Sequence, residues 1–80
     1  MKLFLISQNQ NNSYDTFDSA VVAAPDEDTA KSIHPRDYPS ILVEDWDRDW
    51  CHPKYVRVQY IGEAATDVKQ GVICASFNAG

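Results

Sequence analysis

Four consecutive apolar side chains, Leu3, Phe4, Leu5 and Ile6, followed directly by the amide-rich run Gln8 to Ser13, constrain this chain more than any other feature. An alternating pattern would leave one face for water. An unbroken apolar run of strand length needs cover on both faces, so Lys2 to Ser7 is predicted as a central strand. The amides that follow offer their own hydrogen bonds to the backbone and favour a turn, which reads as a hairpin connection. From Tyr14 to Ala24 the chain is β-compatible again and ends in Ala20-Val21-Val22-Ala23-Ala24, where small side chains leave room for an element packed above.

A helix is predicted at once after that strand, over Asp26 to Ile33. Pro25 and Asp26 give the start signal, Glu27 and Asp28 put negative charge at the positive end of the helix dipole, and Ala30 and Ile33 form an inward stripe. His34-Pro35 ends it, because the residue before a proline disfavours the helical basin. Arg36 to Pro53 is irregular, with Pro35, Pro39 and Pro53 in or beside it. Within it, Trp46 and Trp50 lie one helical turn apart and suit either the core or an interface. Tyr55 to Ile61 alternates, with Val56, Val58 and Tyr60 facing one way and Arg57 and Gln59 the other, which predicts a half-exposed strand. Glu63 to Gln70 is a polar connection, and Val72 to Phe77 reads as a last buried strand.

The element order is therefore β-β-α-loop-β-β. Since the first and last strands are apolar on both faces and each is joined by a short loop to a more amphipathic strand, the expected fold is α+β. It is a small four-stranded antiparallel sheet of order 2-1-4-3 with one short helix packed on one face. Eighty residues allow a single domain, 1–80, with a small core and little material for a deep cleft. An apolar share of 44% with nine aromatic residues exceeds what a disordered segment carries. The N-terminal apolar run is too short for a signal peptide or a membrane span, so the chain is expected in the cytoplasm, away from membranes. Cys51 and Cys74, the two cysteines, are then expected as thiols rather than a disulfide, with Cys74 a core residue of the last strand.

Chemistry-bearing constellations are weak. Asp45-Trp46-Asp47-Arg48-Asp49 resembles the opening of a calcium loop, but Trp50 stands where the turn needs glycine and Val56 where a bidentate glutamate belongs. His34, Cys51, His52 and Cys74 lack metal-site spacing, and nothing in the sequence fixes a Cys–His dyad. The chain is expected to be no enzyme and to use no cofactor or metal.

Charge is the one graded feature. The net charge is −5, which argues against nucleic acid as a partner. Between Asp15 and Asp49 ten carboxylates face only Lys31, Arg36 and Arg48, a balance of −7, while the remainder carries +2. The candidate partner-binding residues are Asp15, Asp18, Asp26, Glu27, Asp28, Asp37, Asp45, Asp47 and Asp49, and the matching partner is basic. Helix capping and solubility account for Asp26 to Asp28 equally well.

Three stretches carry a resemblance: Met1-Lys2-Leu3-Phe4-Leu5-Ile6-Ser7-Gln8, Tyr14-Asp15-Thr16-Phe17-Asp18-Ser19-Ala20-Val21-Val22, and Gly71-Val72-Ile73-Cys74-Ala75-Ser76-Phe77-Asn78-Ala79-Gly80. Through them the chain resembles small proteins encoded by bacteriophages and prophages. Within that group it is similar to anti-CRISPR proteins directed at type I systems, with the type I-C branch as one candidate. The resemblance implies a non-enzymatic inhibitor in the host bacterial cytoplasm. Such an inhibitor would bind the basic DNA-binding surface of a type I guide-RNA surveillance complex, as a DNA mimic would. The alternative is a structural or regulatory phage accessory protein, as a homodimer that pairs an edge strand or buries an uncovered sheet face. Sequence leaves monomer and homodimer equally open.

Overall fold

The computed structural model describes residues 1–10, 16–36 and 50–78. Its elements are strand β1 (Lys2–Ser7), strand β2 (Thr16–Ala24), helix α1 (Glu27–Lys31), a single 3-10 turn at Pro53–Tyr55, strand β3 (Arg57–Glu63) and strand β4 (Gly71–Asn78). The β-β-α-loop-β-β order and the antiparallel four-stranded α+β sheet are those expected from the sequence. Among the described residues no helix is long and apolar enough to cross a membrane.

β1 and β2 form the central hairpin, in register from Lys2 opposite Ala24 to Ser7 opposite Ser19. Of the amide run, Gln8 to Gln10 are described and bond as their chemistry suggests, while Asn11 to Ser13 lie outside the described residues. Gln8 is buried and donates from Nε2 to the Phe17 carbonyl at 2.8 Å, while its Oε1 accepts from the Gln10 amide at 2.8 Å. Tyr14 and Asp15, expected to begin β2, lie outside the described residues.

The strand order is corrected from 2-1-4-3 to 3-1-2-4. β3 pairs with the free edge of β1, and β4 with the free edge of β2. β3 and β4 are therefore the two edges, and the polar connection between them is a crossover instead of a hairpin. Its seven residues, 64–70, lead from beside the start of β1, where Glu63 pairs with Lys2, to beside the end of β2, where Gly71 pairs with Ala23. They need span only about three strand spacings, roughly 14 Å, which is within their reach. The Ala64 amide donates to the Met1 carbonyl at 2.9 Å on the way. β2 takes the central seat because its small apolar residues bury on both faces: Val22, Ala23 and Ala24 are fully enclosed. β4, predicted as a buried central strand, is exposed from Ile73 to Phe77.

One face of the sheet carries the core. Phe4 and Ile6 of β1 stand beside Ala20 and Val22 of β2, Val58 and Tyr60 of β3, and Val72 of β4. Phe4 meets Tyr60 edge to face at 5.9 Å. Trp50, Cys51 and Val56 complete the cluster, so Trp50 is a core residue, while Trp46 lies outside the described residues. The helix covers this face, touching β1, β2 and β3, with Ala30 fully buried and Ile33 packed against the core. It is shorter than the predicted Asp26 to Ile33. The Ser32 and Ile33 amides turn back to Thr29 and Ala30 in tight 3-10 fashion at 3.1 Å, ahead of Pro35. The opposite face presents Leu3, Leu5 and Val21, all half-buried.

Three bulges interrupt the ladders. Ile61 in β3, Ile73 in β4 and Asp18 in β2 are each the extra residue against two paired neighbours. Ile61 and Ile73 are about half exposed, at 47% and 51%.

Candidate functional site

The candidate acidic residues are positioned by the end of β2 and the start of α1. Asp26 is the N-cap: its backbone is extended (φ −153°, ψ 172°), and its carboxylate accepts from the Thr29 amide at 2.8 Å. That hydrogen bond holds its pKa below the usual 3.8, with a smaller contribution from the Lys2 charge. Glu27 and Asp28 follow in the first turn and are exposed. Neither side chain has a hydrogen-bond or ion-pair partner among the described residues. Asp26 is thus committed to the fold, while Glu27 and Asp28 are exposed and take no part in the cap.

The structure does not gather the described carboxylates into one patch. Asp18 sits near the start of β2 and Asp26 just past its end. The six residue steps from Asp18 to Ala24 alone separate them by about 20 Å at strand rise. Asp18 instead accepts from the Ser19 hydroxyl at 3.1 Å. Asp15, Asp37, Asp45, Asp47 and Asp49 lie outside the described residues.

The histidines and cysteines divide between core and surface, His34 and Cys51 being buried and His52 and Cys74 exposed. His34 is buried and its Nδ1 accepts from the Arg36 amide at 3.1 Å, whereas His52 is exposed and its Nδ1 accepts from the Lys54 amide at 3.2 Å. An Nδ1 that accepts in this way puts the proton of the neutral ring on Nε2, so each imidazole has its basic nitrogen turned to its own backbone. Cys51 is buried and Cys74 exposed, and no disulfide joins them. The expectation of Cys74 as a core residue is corrected, because its strand lies at the sheet edge. Among the described residues no group of three or more His, Cys, Asp or Glu side chains could hold a metal ion.

Sequence reasoning missed a cation–aromatic cluster at the hairpin end of the sheet. Phe17 and Phe77, sixty positions apart but directly paired between β2 and β4, have ring centroids 4.8 Å apart. The Arg36 guanidinium lies over both rings, at 5.2 and 5.3 Å, and the buried His34 meets Phe17 edge-on at 6.5 Å. No local pattern in the sequence signals this. On the open face a depression of about 430 Å³ is lined by Leu5, Ser7, Arg57, Val58 and Gln59.

No family model matches this chain, and no curated protein or solved structure matches it significantly.

Proposed function

We propose that this chain is a non-catalytic inhibitor, of the kind its phage-protein resemblance implies, that occupies a basic DNA-binding surface of a type I CRISPR surveillance complex in the host bacterial cytoplasm. The observation that carries the reading is the pair of exposed carboxylates Glu27 and Asp28, which no described residue neutralises. A net charge of −5 adds a long-range field of the sign such a surface attracts. The two imidazoles, each engaged through Nδ1 by its own backbone, favour binding over general-base catalysis.

The test is a target-DNA shift assay with purified complex, comparing the wild type with the Glu27→Lys/Asp28→Lys variant. Asp26 is kept so that the helix retains its cap. Exposed charge pairs are each worth about 0.2 to 1 kcal/mol, and reversal turns two attractions into two repulsions, so inhibition should weaken on the order of tenfold or more. Raised salt should weaken the wild type toward the variant. A folded variant that still blocks DNA loading at wild-type concentration would show that this acidic turn is not the contact.

A further inference from the structure

Leu5, Ser7, Arg57 and Gln59 form a quartet on the open face of the sheet. Ser7 pairs with Arg57 and Leu5 with Gln59, and residues paired across an antiparallel ladder share a face, as do residues two apart along a strand. The bulge at Ile61 lies beyond Tyr60, so the register from Phe4 to Ser7 is unbroken and the four positions keep this arrangement. With Val58 they line the depression of about 430 Å³, a volume within the range of about 300 to 1,000 Å³ usual for small-molecule sites.

The lining is chemically selective. Arg57 is exposed, and among the described residues its guanidinium has no ion-pair or hydrogen-bond partner; the Ser7 hydroxyl and the Gln59 side-chain amide are likewise unengaged. No described carboxylate lines the depression, although the chain carries a net charge of −5. Along the row Arg57, Ser7, Ser19 the first carboxylate is Asp18, beside Ser19 and two strand spacings or roughly 10 Å from Arg57, where it accepts from the Ser19 hydroxyl. Leu5 adds half-buried apolar surface, with Val21 as its neighbour on the same face.

We propose that this depression binds a small monocarboxylate with a short aliphatic stem. The Arg57 fork takes the two carboxylate oxygens, the Ser7 hydroxyl and Gln59 Nε2 donate to them, and the stem lies on Leu5. One guanidinium balances one negative charge. A phosphate monoester would bring a second negative charge to a chain already at −5, so the carboxylate is the better match.

The experiment is an amide NMR titration of the purified full chain with hexanoate at constant ionic strength, with acetate, hexanol and butyl phosphate as matched probes. Shifts for hexanoate should centre on Leu5 to Ser7 and Arg57 to Gln59 and saturate with a Kd on the order of millimolar, as suits an exposed site with a single charge. Acetate lacks the stem, hexanol lacks the charge and butyl phosphate carries too much, so each should bind more weakly. Arg57→Gln should weaken hexanoate about fivefold or more, whereas Lys54→Gln, which removes an exposed cation outside the lining, should leave it unchanged. Spectra of the free variants, unshifted away from the substitution, establish that both are folded. Shifts that do not saturate, an Arg57→Gln variant that binds as the wild type does, or an equal loss in Lys54→Gln would overturn the proposal. So would acetate, hexanol or butyl phosphate binding as tightly as hexanoate.

Discussion

Leu5 and Ile6 are neighbours in β1, carry the same number of carbons, and should respond very differently to truncation. Ile6 is fully buried, with Ala20 and Val58 as its strand neighbours. Leu5 points to the open face beside Val21 and Gln59, is half-buried, and lines the depression there. Ile6→Ala removes three carbons at about 0.8 kcal/mol each, roughly 2.4 kcal/mol of transfer free energy. The unfilled space left in the core raises the total to about 3 to 4 kcal/mol. Leu5→Ala removes three carbons that water already reaches in part and leaves no closed cavity, so about 1 kcal/mol is expected. A domain of this length has a total stability of about 4 to 12 kcal/mol, so the first change is severe and the second mild. The assay is urea unfolding followed by tryptophan fluorescence, since Trp50 lies in the core. With a slope near 1 kcal/mol per molar, the midpoint should fall by about 3 M for Ile6→Ala and about 1 M for Leu5→Ala, with the slope unchanged. Equal losses for the two variants would refute the assignment of a closed inner and an open outer face.

Two other outcomes follow from individual contacts. The Asp26 carboxyl, whose folded pKa is depressed by the Thr29 hydrogen bond, contributes stability above its unfolded pKa, and this is lost as pH falls through the lower folded value. A carboxyl NMR titration should place its midpoint below 3.8, and Asp26→Asn should keep the cap while abolishing that acid-side dependence; a midpoint at or above 3.8 would contradict the cap. Of the two thiols, Cys74 should react with a water-soluble disulfide reagent in the native protein and Cys51 only on unfolding. Equal native rates, resolved by comparing Cys74→Ser with Cys51→Ser, would place Cys51 outside the core.

Sequence by itself determined what is local. The apolar run fixed β1 at Lys2–Ser7 to the residue, the amides announced the turn, and Asp26 with its acidic neighbours marked the helix start, because each depends on side chains within a few positions. Alternation correctly turned Val56 and Val58 toward the core, since strand periodicity is also local, but Tyr55 falls in the 3-10 turn, β3 begins only at Arg57, and Tyr60 stays 45% exposed. Strand order was beyond reach: β2 and β4 both bring apolar residues to both faces, and the polar connection 64–70 is long enough for either a hairpin or a crossover. The tertiary structure decided between them by enclosing the small residues of β2 on both sides and flanking the central hairpin with β3 and β4, which widens the inner face beneath α1 and Trp50. The same non-local choice set Phe77 against Phe17 under Arg36, exposed Cys74, and held Asp18 about 20 Å from the acidic turn at Asp26. Pairings between residues tens of positions apart depend on the shape of the whole core, and no window of the chain encodes that shape.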